Sequence, residues 1–161
     1  MAQITSYKPV FVEIDKVSFV PIEARYVVQR GIAPDGSRVS GDIKAHAHIW
    51  IDAHDTNKLT QDDAVELWKM ATETKNEPHK VSITYYTEDG DRVLGNAEFT
   101  GWISDFVFYN PGLDSGNGDQ STPMGGHASQ GVRAGAYNNI LYVHVVANLR
   151  EDTVGKHKFT K

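Results

Sequence analysis

The sequence predicts a mainly β protein: a β-barrel of two packed antiparallel sheets with one flanking α-helix. Three observations predict it. Apolar and polar residues alternate through most of the ordered runs, and that period of two marks a strand with one face in a core. Only one stretch carries helical spacing, and one helix cannot cover both faces of an open sheet, so closure is the economical solution. Turns rich in Gly, Asp and Pro separate many short runs, as in barrels and sandwiches.

Taken in order, Val10 to Ile14 and Phe19 to Gln29 read as two strands broken at Asp15-Lys16. Pro21 cannot donate to a ladder, so it is expected at a bulge or an edge. The link from Arg30 to Gly41 carries Pro34-Asp35-Gly36, a turn in which Pro presets φ and Gly accepts φ > 0. A connection of about a dozen residues is long for a hairpin, and loops of that length are more often functional than neutral. Ile43 to Asp52 alternates strictly: Ile43, Ala45, Ala47, Ile49 and Ile51 on one face, Lys44, His46, His48, Trp50 and Asp52 on the other.

Thr60 with Asp63 three residues on is a loose capping box, and Leu59 before the cap faces Ala64 as a hydrophobic staple. Ala64, Leu67, Trp68 and Ala71 recur at helical spacing, which places Trp68 in the core, and Pro78 bars continuation. Val81 to Tyr86 and Arg92 to Phe99 follow as strands joined at Glu88-Asp89-Gly90-Asp91, a strong hairpin signal. After Gly101 comes a further strand, Trp102 to Tyr109. Asn110 to Asn139 then holds half of the fourteen glycines and almost nothing large and apolar, and is expected to be a long mobile loop. In Ile140 to Leu149, residues Leu141, Val143, Val145, Ala147 and Leu149 form an unbroken apolar face, as a central strand would. The polar tail from Arg150 to Lys161 is expected to be loosely held.

Composition narrows the function classes. A chain of 161 residues is expected to be a single domain, residues 1–161. With no Cys there is neither a disulfide framework nor thiolate chemistry. The amino terminus lacks the apolar h-region of a signal peptide, and no run approaches the ~18 apolar residues of a membrane span. A net charge of −5 without a basic cluster argues against a nucleic-acid partner. No nucleophile elbow occurs, and Gly125-Gly126-His127 lacks the Lys-Ser/Thr of a phosphate-cradling loop. No enzymatic activity, catalytic residue, metal or cofactor is therefore expected. Asp62, Asp63 and Glu66 at the helix start complement its macrodipole.

One constellation stands apart. His46 and His48 are two apart on a strand, so both imidazoles share a face at a Cα separation of ~7 Å. Asp52 follows on that face, and His144 with Asn148 occupies one face of the last strand. This faintly resembles the His-x-His, acid and distant His of cupins, which implies as an alternative a cupin-like metal- or ligand-binding barrel using His46, His48 and His144. The pattern departs from cupins in several places. Asp52 stands where Glu is usual, Leu141 where Gly is expected, the Pro-x-Gly element is missing, and Lys44 shares the face. The other expectation is a subunit contact formed by Trp50, His46 and His48, since aromatics are enriched in interface cores.

The whole order of features resembles a different family. The two early strands lead into Ala33-Pro-Asp-Gly-Ser-Arg-Val-Ser40. Then come Gly41-Asp-Ile-Lys-Ala-His-Ala-His-Ile-Trp50, the helix with Glu66-Leu-Trp-Lys-Met70, and Val81-Ser-Ile-Thr-Tyr-Tyr86. Glu88-Asp-Gly-Asp91, Trp102-Ile-Ser-Asp-Phe-Val-Phe-Tyr109, a loop and a final β run complete the series. From about Phe11 to Leu149 this is similar to the Hcp (haemolysin-coregulated protein, TssD) family, the inner-tube subunit of type VI secretion systems, and to phage tail-tube proteins. The resemblance implies a structural subunit that forms hexameric rings stacked as a tube, acting as conduit or carrier of effectors. It implies a contractile sheath, a spike and a baseplate as partners, assembly in the bacterial cytoplasm and delivery by the apparatus itself. It also implies that the loop carrying Gly31, Pro34, Asp35, Gly36, Ser37 and Arg38 reaches the adjacent ring. The enlarged Gly-rich loop is a departure from the family.

Overall fold

The computed structural model describes residues 10–75, 77–109, 139–149 and 158–159. The expected Gly-rich loop lies outside these residues except for Asn139, as does the tail except for two residues. The elements are β1 (Val10–Ile14), β2 (Val17–Phe19), β3 (Glu23–Ile32), β4 (Arg38–Asp52), α1 (Gln61–Thr72), β5 (His79–Tyr86), β6 (Val93–Tyr109), β7 (Ile140–Leu149) and β8 (Lys158–Phe159). The strands pair antiparallel in the order β2-β1-β5-β6-β7-β4-β3, and β8 pairs with β6.

This sheet folds over on β6. Residues Val93 to Gly101 pair with β5, whereas Trp102 to Tyr109 pair with β7. The two halves pack face to face around one core. Val12, Ile14, Val81, Ile83, Ala97 and Phe99 come from one half, and Ala45, Ala47, Ile49, Ile51, Val143, Val145 and Ala147 from the other. The alanines on β4 and β7 leave room for the large side chains opposite. Across the fold, Tyr85 donates from its hydroxyl to the Ala24 carbonyl at 3.2 Å, and Tyr26 packs on Phe99 with ring centroids 5.3 Å apart.

A single 17-residue β6 replaces the two strands expected around Gly101. Glycine reads as punctuation, but here it is the point where two sheets meet. A Cβ at Gly101 would lie 2.7 Å from the Val146 carbonyl oxygen and 3.0 Å from Val145 Cγ1, so only hydrogen permits the crossing. The expected strand from Phe19 to Gln29 is instead split. Pro21 sits buried between β2 and β3, and the chain turns there with Ile22 N–H donating to the Trp50 carbonyl at 2.8 Å. The Arg30–Gly41 link is mostly strand too, closing in a five-residue turn from Ala33 to Ser37. Part of the tail returns as β8 against Gly95 and Asn96.

The helix begins as its capping pattern predicts. Thr60 is the N-cap, and its Oγ1 accepts from Asp63 N–H at 3.1 Å while donating to Asp63 Oδ2 at 2.6 Å. Leu59 and Leu67 are buried. Trp68, expected in the core, is 53% exposed. The helix meets β2 and β6 along a narrow stripe that Leu67 fills, and the next residue, about 100° round the axis, falls outside it.

Candidate functional site

Register brings together what alternation alone could only place on faces. Arg25 on β3 lies opposite His48 on β4, His48 opposite His144 on β7, and His144 opposite Asp105 on β6. Those four residues form one row across four strands, on the side of the sheet away from the main core. His46, two residues from His48, stands beside the row. Directly opposed residues on one face are the pairs whose side chains meet.

The contacts are close. His144 Nδ1 lies 2.8 Å from Asp105 Oδ2 and 2.9 Å from Ser104 Oγ. A carboxylate only accepts, so the proton of neutral His144 sits on Nδ1. Its Nε2 then carries the lone pair, and His46 Nδ1 approaches it at 3.1 Å. His48 Nδ1 is 2.7 Å from the Tyr142 hydroxyl. The rings stack: His48 on His144 at 4.3 Å between centroids, and His46 on His144 at 5.3 Å. One ring nitrogen from each of His46, His48 and His144 can be chosen so that all lie within 4.8 Å of one another.

Electrostatics follow from this packing. Burial, with repulsion from Lys44 and from His144 when that ring is protonated, lowers the His46 pKa below its ordinary value. Burial acts to raise Asp105, but hydrogen bonds from His144 and Ser104 and the neighbouring imidazoles more than offset it, and its pKa is lowered. Tyr142 is pushed up to about 12 by burial, Asp105 and Tyr109.

A small second core lies on the next rung beside the row. Trp50, Ile140 and Tyr142 cluster with Val107 and Tyr109 packed against them, and the Arg25 guanidinium sits 5.3 Å from the Trp50 ring centre. Trp50 is 1% exposed. Its ring is therefore occupied within the subunit, and His46 and His48 are the members of the expected contact set that stay partly exposed.

The acid expected beside the histidines is not Asp52. Its Oδ1 accepts from His54 N–H at 3.0 Å in the turn after β4. Asp105, Ser104 and Tyr142 take part instead, and sequence reasoning missed them. The register shift between Ile103 and Asp105, which turns Asp105 toward His144, carries no local signature.

The second candidate region is the β3–β4 tip. Gly31 lies in β3 at a register shift, and Arg38 opens β4. Between them Pro34, Asp35, Gly36 and Ser37 form a tight turn. Asp35 Oδ1 accepts from Ser37 N–H at 2.9 Å and from Ser37 Oγ at 2.6 Å, and Gly36 takes φ of 81°. Among the described residues β7 pairs with β4 over Ile43 to Asp52, so the hairpin from Arg30 to Gly41 overhangs the described sheet.

No family model and no curated relative matches the sequence. Among solved structures, the structure of Hcp1 from Flavobacterium johnsoniae is similar, with a TM-score of 0.54 at 10% identity, over 94% of this chain and 98% of that one. At that identity the likeness shows the fold.

Proposed function

We propose that this chain is a structural tube subunit that assembles into hexameric rings, stacked as the inner tube of a type VI secretion or related contractile injection system. Three features support the reading: the Hcp1-like fold over nearly the whole chain, the borders of the β3-β4-β7-β6 half-sheet, and the overhanging hairpin. The borders carry most of the weight.

At one border β3 is the last strand of the sheet among the described residues. At the other, Trp102 to Tyr109 pairs on one side only among the described residues. The outer edge of a sheet is a template on which the strand of another chain can pair. Four antiparallel strands alternate in direction, and an even number means that β6 of one copy runs antiparallel to β3 of the next. A head-to-tail contact of that kind closes into a ring when the rotation closes. Phe108 is 60% exposed on the β6 border, where a junction would cover it, and Ile32, 70% exposed, lies in the overhanging hairpin. The Gly31–Arg38 tip then reaches the adjoining ring, while sheath, spike, baseplate and cargo are expected partners of the assembled tube. The Hcp1 likeness does not favour a cupin-type binding protein as the primary function.

Negative-stain microscopy of the full chain tests this. Rings with an open centre are expected, and Val28→Asp on β3 should abolish them while the circular dichroism spectrum stays unchanged. Deleting residues of the 33–37 turn should leave rings but prevent stacks. A folded Val28→Asp variant that still forms wild-type rings would exclude β3 as the junction.

A further inference from the structure

We infer that His46, His48 and His144 form a binding site for one zinc-class divalent cation per chain, with Asp105 as the residue that positions His144. The inference concerns a face of the folded subunit and does not depend on ring assembly. Three imidazoles with the fourth position left to solvent are a recognised zinc donor set, and imidazole nitrogen suits zinc, copper, nickel and cobalt over magnesium and calcium.

Distance decides whether the residues fit. With Zn–N bonds of 2.0–2.1 Å, ligand nitrogens at tetrahedral angles lie ~3.3 Å apart. His46 Nδ1 and His144 Nε2 are already 3.1 Å apart, and the widest separation in the triad is within 4.8 Å. The remaining distance must close, and the rings, which lie within 19° of parallel, must also turn until their in-plane lone pairs converge. His46 and His48 on one face, with His48 directly opposite His144, let side-chain rotation on fixed strands do both. On cation binding, the proton between His46 Nδ1 and His144 Nε2 moves to His46 Nε2. Both rings stay neutral, and both facing nitrogens offer lone pairs.

The surroundings match a ligand set better than a plain polar patch. A metal-bound histidine characteristically donates its other N–H to a carboxylate, which fixes the tautomer and the ring angle. His144 Nδ1 does so toward Asp105, with Ser104 Oγ donating to the same carboxylate oxygen at 2.8 Å. The Tyr142 hydroxyl holds His48 in the same way at 2.7 Å. Lys44 carries an opposing charge on this face, but it is exposed to solvent and so screened, whereas Asp105 is partly buried against the triad.

The test uses untagged, chelator-stripped full-length protein titrated with Zn2+ against a chromophoric chelator, and with Co2+ followed by visible absorption. One equivalent is expected, with the d–d bands of four-coordinate Co2+ and no competition from Mg2+. His46→Gln with His48→Gln should abolish binding, and Asp105→Asn should weaken it 10- to 100-fold while leaving the dichroism spectrum unchanged. Binding that survives the double substitution would overturn the site, and wild-type affinity in Asp105→Asn would overturn the positioning role. A measurement on the unaltered chain guards against misfolded variants: Zn2+ should shift the imidazole resonances of three of the seven histidines. Shifts in none, or equally in all, would refute the proposal.

Discussion

Asp15 shows how one side chain joins distant elements. It opens the β1–β2 turn with φ of 52°, a conformation that Asp and Asn tolerate. Its Oδ2 lies 2.7 Å from buried His79 Nδ1, and its Oδ1 accepts from Lys80 N–H at 2.8 Å. Asp15→Ala should leave that imidazole unpartnered and destabilise the fold by about 1–3 kcal/mol. Asp15→Asn, which keeps the left-handed backbone and one acceptor, should cost less. Urea unfolding of both variants checks the ranking, and equal losses would remove the hydrogen-bond explanation. Tyr26 makes a second case. Burial and then Tyr85 push its pKa up to about 12, against about 10 in an unfolded chain. Between those values the folded state holds a proton that the unfolded state has released, so stability falls as pH rises from about 10 to about 12. Tyr26→Phe should flatten that slope in urea titrations at stepped pH, and an unaltered slope would assign the loss elsewhere.

At the scale of elements, Gly101 is the strongest point of sequence control. Gly101→Ala should press a methyl group on the Val146 carbonyl, with a cost of about 1–3 kcal/mol. Thermal melting checks this, and an unchanged midpoint would mean that the sheet junction yields freely. The strands that could be read from the chain, β4 and β7, each carry an unbroken apolar face into the main core, although Trp50, Ile140 and Tyr142 are buried in a second cluster as well. The helix start at Thr60 and the hairpin with Gly90 at φ of 76° were legible because capping and turn chemistry are local. The errors have a common cause. Gly101 read as a break and Pro21 as a bulge or edge inside one strand, yet the strand continues through Gly101 and is interrupted at Pro21, and only the neighbouring strands decide which. Trp68 matched an apolar stripe whose width depends on how much of α1 the sheet touches. In the site, a shared face for His46 and His48 follows from period two, and His144 was suggested by pattern. Asp105 was not, because which residues of β6 meet β7 depends on a bulge that pairing alone defines.

The whole molecule is a sheet folded back on itself, with one half-sheet left open at both borders among the described strands. Ten residues of β3 form one of those borders, a long edge to leave uncovered in a lone subunit. The histidine row crosses the same half-sheet from β3 to β6, so both borders frame the candidate cation site. Copies joined edge to edge would repeat that row around the ring, and the overhanging hairpin would project from one rim. Sedimentation equilibrium of the untagged chain over a wide concentration range tests the central claim most directly. Assembly into rings predicts a mass of six times 17.9 kDa, or whole multiples of it as rings stack. A mass of one chain at every concentration would contradict it.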